Sequence, residues 1–290
     1  MNVLGLYLTS VLIWGSTWLA ITFQLGTVPP AVSVAYRFLL SAIILFAWCM
    51  IRTLPLRFTG REHLWMLLQG LLLFGINYVC VYIAETAVTS ALVAIIFSLI
   101  VFMNIAGTRI FFGTPVKRAT LIGAILGVGG ILLVFLPEFN RGSGRGDPTL
   151  GLVLGLVGAV SASLGNLVVS RNHRAGLPVV QMNAFGMFYG AVLVAAFAMF
   201  TGQPFVFDWS ARYLFSLTYL ALFGSILAFG AFLTLIGRIG ADRAGYVTVA
   251  IPVVALLFSA MFEGLQWHLS LIVGMLLCLA GNVVVLRRNG

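Results

Sequence analysis

Charged residues are scarce in this chain: Asp, Glu, Lys and Arg make up 8% of its 290 residues, against roughly 25% in a soluble domain. Hydrophobic residues make up 61%. A soluble protein of this length covers its surface with polar groups, and too few are present here. The composition excludes a soluble globular protein and predicts an integral membrane protein.

Cysteine and histidine are also rare, with three of each. All three cysteines fall in apolar stretches, without the paired spacing of a zinc site or a disulfide framework. His63, His173 and His268 are predicted to lie in separate loops at the membrane surface, as solvated side chains. The sequence has no HExxH, P-loop or GxSxG motif. We therefore expect no enzyme activity, no catalytic residues, no metal site and no cofactor.

Long runs without Asp, Glu, Lys or Arg occur repeatedly along the chain. A helix that crosses a hydrocarbon core of about 30 Å needs roughly 20 residues. Such spans use most of the chain and leave no room for a soluble domain. The ten predicted helices cover residues 3–23, 30–51, 64–84, 88–111, 119–136, 150–170, 179–200, 213–236, 243–262 and 269–286.

The basic residues predict the orientation, since Lys and Arg are retained on the cytoplasmic side. With the N-terminus inside, only Arg141, Arg145 and Arg212 fall in the outer loops. The inner segments then hold Arg52, Arg57, Arg61, Arg109, Lys117, Arg118, Arg171, Arg174, Arg238, Arg243, Arg287 and Arg288. This bias predicts that both termini are cytoplasmic. It also explains the net charge of +9 by contact with anionic lipid, so nucleic-acid binding is not expected.

The chain contains an internal repeat. A shift of about 150 residues places Pro30 on Pro178 and the pair 74–75 on the pair 223–224, and it matches three glycines of each half. Five spans per copy put the second copy in the membrane upside down. We predict two inverted five-helix repeats, residues 1–136 and 150–290, joined by a periplasmic linker at 137–149.

Several short segments are typical of one transporter family. They are WGSTWLAI at 14–21, Pro30 with Arg37 seven residues later, TSALVAI at 89–95, and AIPVVALLFSAMFEG at 250–264. In this order and within a duplicated frame, they resemble the drug/metabolite transporter superfamily, specifically its ten-helix EamA-type exporters. Val101 and Phe112 stand where the second repeat has Pro252 and Glu263. The first repeat therefore has no counterpart of this proline or this glutamate, and a symmetric role for them is not implied.

Polar and aromatic residues inside the predicted spans select the binding site, because such groups are costly in lipid and tend to face a cavity or a neighbouring helix. We expect a central, uncharged, aromatic chamber. The candidate binding residues are Trp14, Trp18, Arg37, Asn77, Tyr78, Tyr82, Asn104, Ser163, Asn166 and Tyr246. Pro252 is the candidate gating residue, since proline kinks a helix.

Each candidate has a structural alternative. The Trp and Tyr side chains are also typical of lipid-facing or interfacial belts, and the asparagines would equally tie helices together. Arg37, the only charge deep in a span, suits a carboxylate ligand. Its alternative is a packing role, paired with Glu85 or a backbone carbonyl.

The resemblance implies export of amino acids and related metabolites across the bacterial inner membrane. The aromatic chamber favours an aromatic amino acid, carried by alternating access in a chain that works as a monomer. The alternatives are another small metabolite, such as threonine or homoserine, cysteine or a nucleobase, or a membrane-embedded lipid-handling protein. No acidic residue is predicted at the centre of a span, which favours facilitated flux over proton coupling.

Overall fold

The computed structural model describes residues 1–113, 118–141, 146–265 and 267–289, and these residues form helices and no β-strand. The predicted all-α fold is confirmed. The helices of the described residues, numbered in chain order, are α1 (Val3–Thr22), α2 (Pro30–Ile51), α3 (Gly60–Ala87), α4 (Ser90–Phe112), α5 (Arg118–Arg141), α6 (Pro148–Arg174), α7 (Val179–Phe200), α8 (Ala211–Ala244), α9 (Val247–Phe262) and α10 (Leu269–Asn289).

Within the described ranges, seven of these helices are long and apolar enough to cross a membrane. They are α1 to α4 and α6 to α8. The other three contain shorter apolar segments, at Leu121–Phe135, Val247–Phe262 and Leu269–Gly281. All ten predicted spans therefore fall on helices.

Local sequence signals fix several helix ends. The Thr59 side chain accepts a hydrogen bond from the Glu62 amide, and the Glu62 carboxylate accepts one from the Thr59 amide, which makes a capping box at the start of α3. Asp147 caps α6 just before Pro148. Gly113 ends α4 with φ 73°, and Gly264 follows α9 with φ 69°, a left-handed conformation that favours glycine.

The two halves share an unusual feature at the same place. A π-helical segment interrupts α3 at Gly70–Ile76, and another interrupts α8 at Leu220–Leu227. These segments lie about 150 residues apart, as the repeat requires. A π-turn inserts one residue into the helical ladder and is often found at functional sites.

Helices pack across the two repeats in matched pairs. α2 packs on α7 and α5 on α10, while α1 contacts α8 and α9 just as α6 contacts α3 and α4. Glycines allow the closest approach: a Cβ atom on Gly130 would lie 2.5 Å from the Gly274 carbonyl oxygen, between α5 and α10. Five helices per repeat give the two copies opposite directions.

The structure shortens the predicted linker between the repeats. Helix α5 runs through Pro137 to Arg141, and α6 begins at Pro148, so the segment 137–149 is not a continuous loop. Residues 142–145 of that linker, including Arg145, and Lys117 lie outside the described residues. The boundaries of the repeats and the cytoplasmic position of both termini stay predictions.

Candidate functional site

A cavity lies at the centre of the bundle, between helices of both repeats. Its walls come from α1, α3 and α4 of the first repeat and from α6, α8 and α9 of the second. Its volume is about 70 Å³, which exceeds the roughly 10–15 Å³ that a single water molecule needs. Helices α2, α5, α7 and α10 add no described residue to the lining and form the surrounding scaffold.

Half of the predicted binding residues lie in this cavity wall. They are Trp14, Trp18, Asn77, Tyr78 and Asn166. Trp14 and Trp18 are four residues apart on α1, so they share one helix face. That any of the five contacts a substrate stays a prediction.

Trp14 faces the cavity rather than the lipid. Its indole nitrogen donates a hydrogen bond to the Gly224 carbonyl oxygen at 3.0 Å. Its ring meets Phe229 and Phe232 edge-on, with both centroid distances at 4.9 Å. Gly224 belongs to the π-helical segment of α8, so Trp14 joins α1 to this segment beside the cavity.

Three buried polar atoms of the cavity-lining residues have no hydrogen-bond partner. They are the indole nitrogen of Trp18 and the side-chain oxygens of Asn77 and Asn166. Asn77 uses only its amide nitrogen, which donates to the Leu73 carbonyl oxygen at 3.1 Å. A buried polar group without a partner costs about 1–3 kcal/mol. One unpartnered donor and two unpartnered acceptors thus belong to residues of the cavity wall.

Arg37 is fully buried but lies behind the cavity wall. Its Nε donates to the Ser225 hydroxyl at 3.0 Å and its Nη1 to the Tyr82 hydroxyl at 3.4 Å. Its Cζ lies 4.6 Å from the ring centroid of Tyr78, a cavity residue. In the alternative packing role, Arg37 was to pair with Glu85 or a backbone carbonyl, but its hydrogen bonds go to two hydroxyl groups instead.

One guanidinium nitrogen of Arg37 remains available. Its Nη2 has no hydrogen-bond partner. A Cβ atom on Gly224 would lie 3.0 Å from this nitrogen and 2.8 Å from the methyl group of Thr17, which lines the cavity. Only a small residue at position 224 lets Arg37 come this near the cavity.

The other predicted binding residues do not line the cavity. The Tyr82 hydroxyl donates to Gln24 Oε1 at 2.6 Å, deep in the bundle. Asn104 donates from its amide to the Ala241 carbonyl oxygen at 3.0 Å and ties α4 to α8. Ser163 is buried in α6, and Tyr246 is half-buried and accepts a hydrogen bond from Tyr7 at its carbonyl oxygen.

Pro252 lies next to the cavity residue Ile251, but helix α9 continues through it. The interruption occurs in the equivalent helix α4, at Ser98 and Leu99, although α4 has valine at the matching position 101. The structure therefore places the break in the helix without proline. The gating role of Pro252 stays a prediction.

Sequence reasoning missed several cavity residues. The aromatic ones are Phe97, Phe229 and Phe232, and Phe97 meets the Trp18 ring edge-on at 5.2 Å. Thr17 and Thr248 also line the cavity; as polar residues inside the predicted spans, they belong to the group that was expected to face it. A phenylalanine in an apolar helix gives no signal that separates a cavity face from a lipid face, whereas the threonines carried a weak polar signal.

Two further pockets lie at opposite ends of the bundle. The Arg174 pocket lies where α4, α6 and α8 end and has a volume of about 350 Å³; it includes Phe112, Ser170, Arg174 and Asp242. The Glu85 pocket lies where α1, α3 and α9 end and has a volume of about 440 Å³; it includes Phe23, Glu85, Arg212 and Glu263. The repeat relates the two pockets, one at each end of the central cavity.

Glu85 changes one expectation from the sequence. Helix α3 extends to Ala87, beyond the predicted end at residue 84, and Glu85 is only 2% exposed within it. A buried carboxylate is thus present in the last turn of a span, at the end of the bundle and not at its centre. The expectation of facilitated flux stays a prediction.

The histidines are less solvated than the sequence predicted. His63 lies in the first turns of α3 and hydrogen-bonds the Tyr189 hydroxyl at 2.8 Å. His173 lies in the last turn of α6, half-buried, with Nε2 at 2.7 Å from the Leu233 carbonyl oxygen. Among the described residues, no three His, Cys, Asp or Glu side chains form a group that would hold a metal ion.

Comparison with known proteins identifies the same transporter family along the whole chain. The model of the "EamA-like transporter family" matches residues 2–136 and 149–287, which are nearly the two repeats. A solved crystal structure superposes with a TM-score of 0.73 and 19% identity, covering 98% of this chain and 96% of the other. This likeness supports the two-repeat fold.

Curated bacterial proteins are also similar to this chain. The "Uncharacterized inner membrane transporter YedA" of Escherichia coli (strain K12) is 29% identical, over 87% of this chain and 80% of its own length. The "Uncharacterized transporter YoaV" of Bacillus subtilis (strain 168) is 25% identical over 93% and 91%. "Protein PagO" of Salmonella typhimurium is 24% identical over 86% and 81%.

Proposed function

Since the chain belongs to the EamA-like transporter family, we propose that it exports amino acids, aromatic ones above all, by alternating access through the central cavity. Small-molecule transport and a multi-pass location in the bacterial inner membrane follow from the family and its named relatives. The family resemblance drawn from the sequence is thus confirmed. Substrate, direction and mechanism are what this proposal adds.

The proposal rests chiefly on the three unpartnered polar atoms of the cavity wall. The side-chain oxygens of Asn77 and Asn166 are acceptors that suit a substrate ammonium group. The indole nitrogen of Trp18 is a donor that suits a carboxylate. A zwitterionic amino acid would satisfy all three, and a ligand that meets buried polar groups gains their full hydrogen-bonding energy.

The aromatic rings favour an aromatic side chain. Trp14, Trp18 and Tyr78 line the cavity together with three phenylalanines. Edge-to-face and offset ring pairs are worth about 0.5–1.5 kcal/mol beyond the burial of area. Phosphorylated sugars fit less well, because they call for several central basic residues. The described residues that line the cavity include no Lys or Arg, and Arg37 lies behind this wall.

Arg37 supports the binding of a carboxylate from its position behind the wall. Its free Nη2 and the methyl group of Thr17 meet at Gly224. A carboxylate that displaces the Thr17 side chain slightly would reach a charge-assisted hydrogen bond, which is roughly twice as strong as a neutral one. Arg37 would thus favour acids over neutral analogues.

Alternating access is supported by the positions of the three pockets. The central cavity lies between the Arg174 pocket and the Glu85 pocket, which the repeat relates. Inverted repeats with a site at their interface open to one side at a time. Since all six cavity helices come from one chain, a monomer is sufficient.

The test is resistance of overexpressing cells to toxic aromatic amino-acid analogues. We expect resistance with the natural sequence, and loss of it with Asn166→Ala and Tyr78→Ala. Asn183→Ala is the matched control, because Asn183 also has a buried, unpartnered side-chain oxygen but lies outside the cavity wall. Protection against threonine or nucleobase analogues instead would overturn the aromatic assignment and leave export standing.

Counterflow in proteoliposomes tests the mechanism itself. Preloaded phenylalanine should accelerate the uptake of labelled phenylalanine, with saturation, as expected for a carrier with one central site. Flipping of a labelled lipid without such counterflow would show the alternative lipid-handling function.

A further inference from the structure

The Arg174 pocket combines opposite charges with an unsatisfied polar atom. Arg174 and Asp242 both line it, as does Ser170. The Ser170 hydroxyl is buried and has no hydrogen-bond partner, and the residue is 8% exposed. The volume of about 350 Å³ lies in the range of roughly 300–1,000 Å³ that small-molecule sites occupy.

The backbone presents both charged side chains into this pocket. Arg174 is in the last turn of α6, and its Cζ lies 4.1 Å from the ring centroid of Phe112. Gly240 breaks α8 with φ 86°, and a Cβ there would lie 2.6 Å from Asp242 Oδ1. Glycine at 240 therefore allows the turn that carries the Asp242 carboxylate.

The equivalent pocket at the other end has a different charge set. Arg212 lies over the Phe23 ring at 4.4 Å, as Arg174 lies over Phe112. Two carboxylates, Glu85 and Glu263, share that pocket, and Glu263 hydrogen-bonds the amide and hydroxyl of Ser90. The Arg174 pocket has one arginine and one carboxylate, together with His173. The Glu85 pocket has one arginine and two carboxylates.

We propose that the Arg174 pocket is an entry site that recognises the zwitterionic head group of an amino acid before it reaches the central cavity. Arg174 binds the carboxylate and Asp242 the ammonium group, while Ser170 adds a hydrogen bond to the carboxylate. The arginine distribution predicts that this end is cytoplasmic, as entry for export requires. This inference rests on the proposed export of amino acids.

Uptake of labelled L-phenylalanine into inside-out membrane vesicles tests the proposal with the full chain. Arg174→Gln and Asp242→Asn should each raise KM about tenfold and change the maximal rate less than about twofold, the pattern of lost ground-state binding. The KM of Arg174→Lys should lie between those of the natural sequence and Arg174→Gln, since lysine keeps the charge but lacks the planar guanidinium group. Arg212→Gln and Asp147→Asn are the controls, at the opposite pocket and at a helix cap, and should leave KM unchanged.

Inhibition of phenylalanine uptake by two analogues tests which residue binds which charged group of the substrate. Phenethylamine has only the ammonium group and 3-phenylpropionate only the carboxylate. Arg174→Gln should not change inhibition by the amine, and Asp242→Asn should not change inhibition by the acid. Unchanged KM in both variants, or an equal rise with Arg212→Gln, overturns the entry site while the exporter proposal stands.

A binding measurement separates failure of the entry site from failure of export. If the vesicles take up no amino acid, the proposed function is wrong, and thermal unfolding of the purified chain then tests the pocket. L-phenylalanine and L-threonine should raise the unfolding temperature more than their amines do, because a ligand stabilises the state that binds it. If amino acids and amines raise the unfolding temperature equally, or if the difference between them persists in Arg174→Gln, the proposed entry site is wrong as well.

Discussion

The guanidinium of Arg37 lies over the ring of Tyr78, with Cζ 4.6 Å from the ring centroid. Arg37 is buried outside the cavity wall, whereas Tyr78 forms part of it. A desolvated cation–π contact contributes about 2 kcal/mol. Arg37 also bonds Ser225 in the π-helical segment of α8, so this one side chain fixes two features that border the cavity.

Replacing Arg37 by Lys should lower transport about tenfold, the equivalent of about 1.4 kcal/mol. An ammonium group cannot bond Ser225 and Tyr82 and cover the Tyr78 ring at once. Initial rates in proteoliposomes, divided by protein abundance, measure the effect. Arg52→Lys is the control, since Arg52 stacks on Trp48 at the exposed end of α2. An equal loss of abundance and rate would make Arg37 purely structural.

Replacing Tyr82 by Phe should destabilise the protein by about 1–3 kcal/mol, because the buried oxygen of Gln24 loses its donor. Thermal unfolding in detergent measures this change. Tyr36→Phe removes a longer hydrogen bond of 3.3 Å near the surface and should cost less. Equal shifts for the two variants would contradict a special role for the buried network of Arg37, Tyr82 and Gln24.

Most of the fold could be predicted from the sequence, because the patterns that indicate it extend over many residues. Runs without charge located all ten helices, and the glycine and proline matches located the repeat. The π-helical segments at Gly70–Ile76 and Leu220–Leu227 were not predictable, since an inserted residue in a helix leaves the apolar pattern unchanged. The ends of α3 and α8 were missed because Glu85 and Arg238 were treated as ends of spans, although helices continue past a single buried or interfacial charge.

Only half of the residues predicted for the candidate site line the cavity, for a physical reason. Asn77, Asn166 and Trp18 were predicted because a polar atom in hydrocarbon needs a partner, and all three line the cavity. The same argument selected Asn104, whose partner is a backbone carbonyl in α8. Sequence identifies which polar groups need partners, but only packing decides whether the partner is a helix or a ligand.

Replacing Gly130 by Ala should destabilise the protein by about 1–3 kcal/mol, the usual cost of overpacking. The new Cβ would lie 2.5 Å from the Gly274 carbonyl oxygen, so α5 and α10 would have to separate. Gly129→Ala is the matched control, because a Cβ on Gly129 meets nothing within 4 Å. It should leave the unfolding temperature unchanged or slightly higher, since alanine favours helix. Similar losses for both would indicate a helix-propensity effect instead of contact between the helices.

Replacing Pro252 by Ala should lower the transport rate several-fold while abundance stays constant. Proline has no amide hydrogen, so the carbonyl oxygen of Thr248, four residues earlier, has no helical donor, and Thr248 lines the cavity. Alanine restores that hydrogen bond and stiffens α9 at the cavity, which should hinder any bending that opens one side. Pro30→Ala is the control, because a proline at the first turn of α2 interrupts no hydrogen bond. Counterflow rate and protein abundance are measured for both variants. Equal losses of both in Pro252→Ala would mean that the proline serves folding and not gating.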